Sequence, residues 1–267
     1  MRKERVDVLL VERGFFDSRE KAKRAIMAGI IHNEHEILDK PGMKIPADTP
    51  LFVKGQTLKY VSRGGLKLEK AIDTFGIDLE DCNVLDIGSS TGGFTDCALQ
   101  HGASHVYALD VGTNQLVWQL RSDPRVTVLE QTNFRYATPE LFTQGQPDFA
   151  TIDVSFISLG LIFGPLHRIL KPEGYVVALI KPQFEAGRDQ VGKHGIVKDP
   201  KVHEAVIHEV LQLANQNGFT LMDLTYSPIT GGEGNIEFLG YFQNVAHTQK
   251  TMAITETVKQ AHEAFRG

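Results

Sequence analysis

Two cysteines, Cys82 and Cys97, are all that the 267 residues contain. A disulfide framework is therefore not the expected scaffold, and a reducing cytoplasm is the default setting. The ten histidines show no zinc-ligand spacing, so no metal is expected. No apolar run approaches the about 20 residues of a membrane-spanning helix. The opening "MRKERVDVLLVERG" is basic, but its apolar stretch is short and broken by charge, unlike a secretory leader. The dinucleotide fingerprint G-x-G-x-x-G is missing too. What remains is an ordinary globular composition, 42% apolar, long enough for one large domain with a small one beside it.

Charge is distributed unevenly. Residues 1–70 hold 15 Lys/Arg against 10 Asp/Glu, and residues 71–267 hold 13 against 23. A basic segment on an acidic body suits a polyanionic partner, although a solvated helix face would look the same. Within 5–29 the spacing predicts two short helices closing at Gly14 and Gly29. Val6, Leu9 and Leu10 line one, and Ala22, Ala25 and Ile26 the other. Asp17 and Glu20 stand at capping-box spacing at the start of the second helix. "IIHNEHEI" and "PLFVKG" read as short strands separated by a turn-rich stretch.

From residue 83 strands and helices alternate. "NVLDIG", "HVYALDV", "RVTVLEQ", "FATIDVS" and "YVVALI" are separated by helix-length segments at 93–102, 113–121 and 158–170. That pattern predicts a parallel, doubly wound α/β sheet. After a helix near 201–217, "FTLMDLTYSP" and "EFLGYFQN" lie close enough to pair as a hairpin, which makes the last strand antiparallel to the rest. A packing helix is expected over 248–265.

"VLDIGSSTGGFTD" (84–96) joins the first of these strands to its helix. Its small residues, Gly88, Ser89, Ser90, Thr91, Gly92 and Gly93, let the backbone approach a ligand at a helix N-terminus. Asp110 ends the next strand, 22 residues beyond Gly88, where a carboxylate can accept both hydroxyls of a ribose. Asp86 ends the first strand near the same ligand. An amino acid-bearing nucleoside suits this loop better than a pyrophosphate.

Four more ionisable residues converge on the carboxyl ends of the strands. Lys67 lies in a short helix before the first strand, Asp153 ends "FATIDVS" and Lys181 ends "YVVALI". Glu237 begins the antiparallel last strand, which brings it to the same rim. Each alone reads as a surface charge or structural ion pair; together, beside a nucleoside loop, they point to chemistry. A neutral lysine there could take a proton, given burial and a neighbouring positive charge.

Two resemblances follow from these residues. Arg5, Asp7, Leu9 and Leu10, then Ser18-Arg19-x-x-Ala22 and Ile26-x-x-Gly29, resemble the S4 RNA-binding domain. That resemblance implies RNA contacts at Arg5, Ser18, Arg19, Lys23 and Arg24, with Arg63 of the linker beside them. The nucleoside loop and the Lys-Asp-Lys-Glu set resemble FtsJ/RrmJ-type ribose 2′-O-methyltransferases, and the whole chain resembles the TlyA family, historically also labelled hemolysin A. The implied fold is a Rossmann-like class I methyltransferase, its seven-stranded sheet mostly parallel with an antiparallel last strand, carrying a small α+β S4 domain. The implied boundaries are 1–59, a linker over 60–66, and 67–267.

The family's cofactor is S-adenosyl-L-methionine. By position Gly88, Ser89, Gly92 and Phe94 would cradle its methionine and ribose, Asp110 the ribose, and Val111, Asn133 and Phe134 the adenine, with Asp153 at the meeting of cofactor and substrate. The implied substrate is rRNA in ribosomal subunits, at a cytidine 2′-OH. Lys181 is then the expected base and Lys67 the nearby cation. The stretch 184–200 reads as a substrate-gating loop that puts Arg188, Lys193 and His194 near RNA, or as a plain surface excursion. The competing classes are a membrane-active hemolysin and a non-catalytic ribosome-assembly factor.

Overall fold

The computed structural model describes residues 2–16, 18–55, 59–247 and 253–266. In the N-terminal region, β1 (Lys3–Arg5) pairs antiparallel with β3 (Lys44–Pro46), and β2 (Ile31–His32) with β4 (Phe52–Val53). Between them run α1 (Val6–Glu12) and α2 (Arg19–Met27), which bury the apolar faces expected from their spacing. These faces close on Ile31, Leu38, Ile45 and Val53 as a small separate core. The N-cap of α2 is Ser18, whose Oγ accepts the Lys21 amide at 3.3 Å. The expected partner of Glu20, Asp17, lies outside the described residues, as do Leu58 before the linker and residues 248–252.

The larger region is a single sheet. Its strands are β5 (Asn83–Ile87), β6 (His105–Leu109), β7 (Val126–Leu129), β8 (Phe149–Ile152), β9 (Tyr175–Ile180), β10 (Thr220–Tyr226) and β11 (Phe238–Gln243). They lie in the order β10-β11-β9-β8-β5-β6-β7. The neighbours from β5 to β9 pair in parallel, and β11 runs antiparallel to both β9 and β10. This is the seven-stranded, mostly parallel sheet with a reversed last strand. The chain leaves β5 toward β6 and β7, then returns to place β8 on its other side. A crevice opens where the order switches, above Gly88 and Asp153.

Helices α3 (Gly65–Phe75), α4 (Gly93–Gln100) and α5 (Trp118–Arg121) cover one face of the sheet. The other face carries α6 (Gly160–Ile169), α8 (Pro200–Gln216) and α9 (Ile254–Ala264), while α7 (Pro182–Glu185) is a single turn at the end of β9. The helix expected over 113–121 shrinks to the four residues of α5. Asn114, with φ of 53°, sits in the left-handed region and cannot continue a right-handed helix into them.

Strand alternation decides where the rim residues point. On β9, Val176, Ala178 and Ile180 face α6, α8 and α9, whereas Val177 and Leu179 face α3 and α4. Lys181 shares the parity of Leu179. Asp153 is one residue past Ile152, which faces the α6 side, and Glu237 one before Phe238, which does the same. All three therefore emerge on the α3 side, where Lys67 is.

Candidate active site

Lys67 lies in the first turn of α3, and its Nζ donates to Glu237 Oε2 at 2.7 Å. Lys181 Nζ stands 2.5 Å from Asp153 Oδ1 and donates to Ser155 Oγ at 3.2 Å. Lys67, Lys181 and Glu237 are buried; the Asp153 side chain keeps 23% of its surface open. Burial works to lower the Lys67 pKa, but the negative charges of Glu237 and Asp153 outweigh it and hold the ammonium above its ordinary value. Burial likewise opposes ionisation of Asp153, and the cations Lys181 and Lys67 overcome it, so the carboxylate lies below its ordinary range. Two lysines and two carboxylates thus form one neutralised cluster in the crevice.

The proline that follows Lys181 has a geometric reason. It occupies the first position of α7, where a missing N–H costs nothing and a fixed φ suits helix entry. The chain turns at once, and the Phe184 and Glu185 amides donate back to the Lys181 carbonyl. Lys181 is thereby fixed between a buried strand and a short turn.

Two cavities meet at Gly88, Ser90 and Asp153. The first, of about 330 Å³, is lined by Asp110, Val111, Asn133 and Phe134, with Phe156 on its lip. The second, of about 250 Å³, is lined by Ser89, Thr91, Gly93, Phe94, Lys67 and Arg63. Gly88 must be glycine: its φ is 85°, and an added Cβ would lie 2.1 Å from the Asp153 carbonyl oxygen. The first cavity fits a nucleoside. Asp110 accepts the Ser90 amide on Oδ2 and the Gly112 amide on Oδ1, each at 2.8 Å, which leaves a lone pair on each oxygen for a hydroxyl. Phe134 supplies an apolar wall.

Two predicted cofactor residues fall elsewhere. Asp86 is turned inward, away from both cavities, where it accepts from Thr95 Oγ1 at 2.7 Å and Thr151 Oγ1 at 3.1 Å. With two hydroxyls and no cation beside it, burial pushes its carboxyl up to about 7. Gly92 (φ 107°) also lines neither cavity; an added Cβ there would strike Leu120 at 2.3 Å. Its contribution is the tight turn into α4.

The predicted RNA-contacting residues are spread out. Arg5 (2.9 and 3.1 Å) and Arg19 (2.9 and 3.2 Å) both grip Asp7, which is buried on α1. Burial opposes the Asp7 charge, but the hydrogen bonds from the two guanidiniums outweigh it and lower its pKa. Ser18 is spent on capping α2, Lys23 is half-buried, and Arg24 is exposed. Arg63 lines the second cavity, and Arg188 is exposed on the turn after α7 with Lys193 and His194. That second cavity is also walled by Arg13, Gly14 and Phe16, so the N-terminal region reaches the crevice itself.

Aromatic residues at the crevice escaped sequence reasoning. Phe156 is 89% exposed with a left-handed φ of 64°, and its ring lies 4.7 Å from that of Phe184. The Lys181 ammonium lies 5.8 Å from the Phe184 centroid. An exposed ring held in a strained backbone is informative only once its surroundings are known. Among the described residues, no group of three or more His, Cys, Asp or Glu is arranged to hold a metal ion.

Comparison with known proteins agrees with this geometry. A model described as FtsJ-like methyltransferase matches residues 60–244, and one described as S4 domain matches residues 4–49. The chain is 57% identical to the YqxC protein of Bacillus subtilis over 99% of its own length and 96% of that protein's. It is 41% identical to the Mycobacterium tuberculosis protein named 16S/23S rRNA (cytidine-2′-O)-methyltransferase TlyA, over 89% of this chain and 88% of that one. A solved structure from Streptococcus thermophilus, carrying the hemolysin name, superposes with a TM-score of 0.87 at 55% identity, covering 100% of this chain and 98% of that one.

Proposed function

The chain belongs to the FtsJ-like methyltransferase family, and we propose that it moves a methyl group from S-adenosyl-L-methionine to a ribose 2′-hydroxyl of rRNA. The observation that carries this reading is the Lys67–Glu237 and Lys181–Asp153 cluster, whose Asp153 stands where the two cavities meet and whose Lys67 lines the second. Bound cofactor supplies a methyl on a sulfonium, activated toward attack by an oxygen nucleophile. The chain's own residues must then orient that oxygen and accept its proton.

Asp110 holds the cofactor ribose, Phe134 and Val111 flank the base, and Gly88 lets the backbone close against the ligand. Lys181 accepts the proton of the target hydroxyl at Nζ. The Lys67 ammonium, kept in place by Glu237, is the nearby cation. Asp153 keeps Lys181 aimed at the crevice, and holding the hydroxyl in line with the methyl supplies much of the acceleration. Phe156 offers a face on which a nucleotide base drawn out of its stack can rest.

The name of the Mycobacterium tuberculosis relative supports a cytidine of rRNA as the target, and the setting we propose is ribosomal subunits in the cytoplasm. The S4-like region supplies the positive surface that positions the RNA. As for the hemolysin name, no helix among the described residues is long and apolar enough to cross a membrane.

The test is transfer of labelled methyl to ribosomal subunits lacking the modification, comparing wild type with Lys181→Ala. We expect label on a cytidine ribose with wild type and a loss of about 10²–10⁴-fold in the variant. Absence of label with wild type, despite measured cofactor and subunit binding, would replace this reading with a non-catalytic assembly role.

A further inference from the structure

The one-turn helix α7 has more to do than carry the chain away from Lys181. Each of its polar or aromatic side chains reaches a different side of the crevice. Glu185 accepts from the Leu159 amide and from Ser158 Oγ, both at 2.8 Å, and so pins the segment after β8. Phe184 packs its ring on Phe156. Gln183 Nε2 donates to Glu237 Oε1 at 3.0 Å. We propose that Gln183 is a positioning residue for methyl transfer, acting through Glu237; the inference rests on the reaction proposed above.

Glu237 divides its two oxygens between two donors. Oε2 takes the Lys67 ammonium at 2.7 Å, and Oε1 takes the Gln183 amide. The third side is closed by backbone: a Cβ added to Gly231 would lie 2.0 Å from Oε1. No side chain at that position fits beside the carboxylate without displacing it. The orientation of the Gln183 amide is set by chemistry, because reversing it would place an acceptor against a carboxylate. Its other end, Oε1, is buried and has no hydrogen-bond partner among the described residues. An amide serving the scaffold would be expected to use both ends. This one bonds a single partner, and that partner holds a cation of the crevice.

The consequence runs through charge. Glu237 is faced by Lys67 from α3 and Gln183 from α7, with Asp153 and Lys181 one contact further on at the ends of β8 and β9. Gly231 brings no charge, and Glu233 in the same loop is exposed. While the amide occupies Oε1, the carboxylate stays fixed, and Lys67 stays aimed between Glu237 and Asp153. Without the amide, Oε1 is buried and undonated. The carboxylate then turns, and the Lys67 charge shifts relative to the Lys181–Asp153 pair.

Two variants test this. Gln183→Leu keeps bulk and removes the donor; Gln183→Glu keeps shape and donates only when protonated. For Gln183→Leu we expect kcat to fall about 10–100-fold, the loss of one hydrogen bond to a charged group, with KM for the cofactor within about twofold. For Gln183→Glu we expect the rate relative to wild type to climb as pH is lowered from about 9 to about 6, because protonation of the introduced acid restores the bond. The same ratio for Gln183→Leu should stay flat. In cofactor-free protein at neutral pH, the ¹³C resonance of the Glu237 carboxyl, identified by its loss in Glu237→Gln, should be displaced in Gln183→Leu from its wild-type position, because Oε1 has lost its donor. An unmoved Glu237 resonance, or equal pH dependence of the two variants, overturns the inference. Failure of wild type to transfer methyl overturns the reaction instead, and the Glu237 resonance alone then decides for or against Gln183.

Discussion

The N-terminal region and the sheet crevice both bury carboxylates against cations, but they do so with different partners. Near the N-terminus a single carboxylate, Asp7, is clasped by two arginines, Arg5 and Arg19. At the sheet crevice each carboxylate has its own lysine, Asp153 with Lys181 and Glu237 with Lys67. A third arrangement lies just beneath, where Asp86 has two threonine hydroxyls and no cation. The carboxyl pKa values follow this series: below the ordinary range at Asp7 and Asp153, and up to about 7 at Asp86. Guanidinium keeps its proton throughout the pH range of life, whereas an ammonium can surrender one when its surroundings favour it. The Asp7 clasp can therefore hold α1 and α2 together but not exchange a proton, while the lysine pairs can join in proton transfer.

The largest effect should come from importing the N-terminal solution into the crevice. Lys181→Arg would still pair with Asp153 but could not accept a proton, so methyl transfer should fall about 10²–10⁴-fold, comparable to Lys181→Ala. Cofactor binding by calorimetry should be retained. An arginine variant close to wild type in rate would remove Lys181 from proton transfer.

Asp86→Asn comes next. The folded carboxyl titrates at about 7 and the unfolded one near 3.8, so between these values the folded state holds a proton that the unfolded state has lost. Stability should fall with rising pH across that window, by at most about 1.4 kcal/mol per pH unit. The asparagine variant should show a flatter profile in urea denaturation measured from pH 4 to 8, and should overtake wild type at the alkaline end.

Asp7→Asn should be the mildest and the most local. The depressed Asp7 pKa means its stabilising contribution is present above the unfolded value near 4 and lost as pH falls through the folded one. At neutral pH the variant should lose about 1.5–3 kcal/mol, read as faster amide hydrogen exchange in α1 and α2, and should match wild type in strong acid. Subunit binding should weaken while cofactor affinity is unchanged.

Much of this is legible in the sequence. The strand and helix order, the reversed last strand and the buried faces of α1 and α2 follow from period and turn residues, which act over a few neighbours in the chain. The meeting of Lys67, Asp153, Lys181 and Glu237 is legible because strand ends in a parallel sheet share one rim and alternation assigns one face. Gln183 and Phe156 are not. A glutamine after a proline and a phenylalanine after a serine have no local signature; the glutamine acquires meaning from Glu237, 54 residues away, and the phenylalanine from a left-handed φ.

Local pattern also leaves pairings unread. Asp86 reads as a ligand because it ends a strand at the rim, yet Thr95 and Thr151 turn it inward. Arg5 and Arg19, which the S4 resemblance assigns to RNA, both pair with Asp7, and nothing in their neighbourhood in the chain signals that clasp. By itself, then, the sequence determined which residues ride on which element and at which end, since hydrophobic period and turn chemistry are local. Only the tertiary structure decided which charge meets which, because a pairing depends on distances and burial set by segments far apart in the chain.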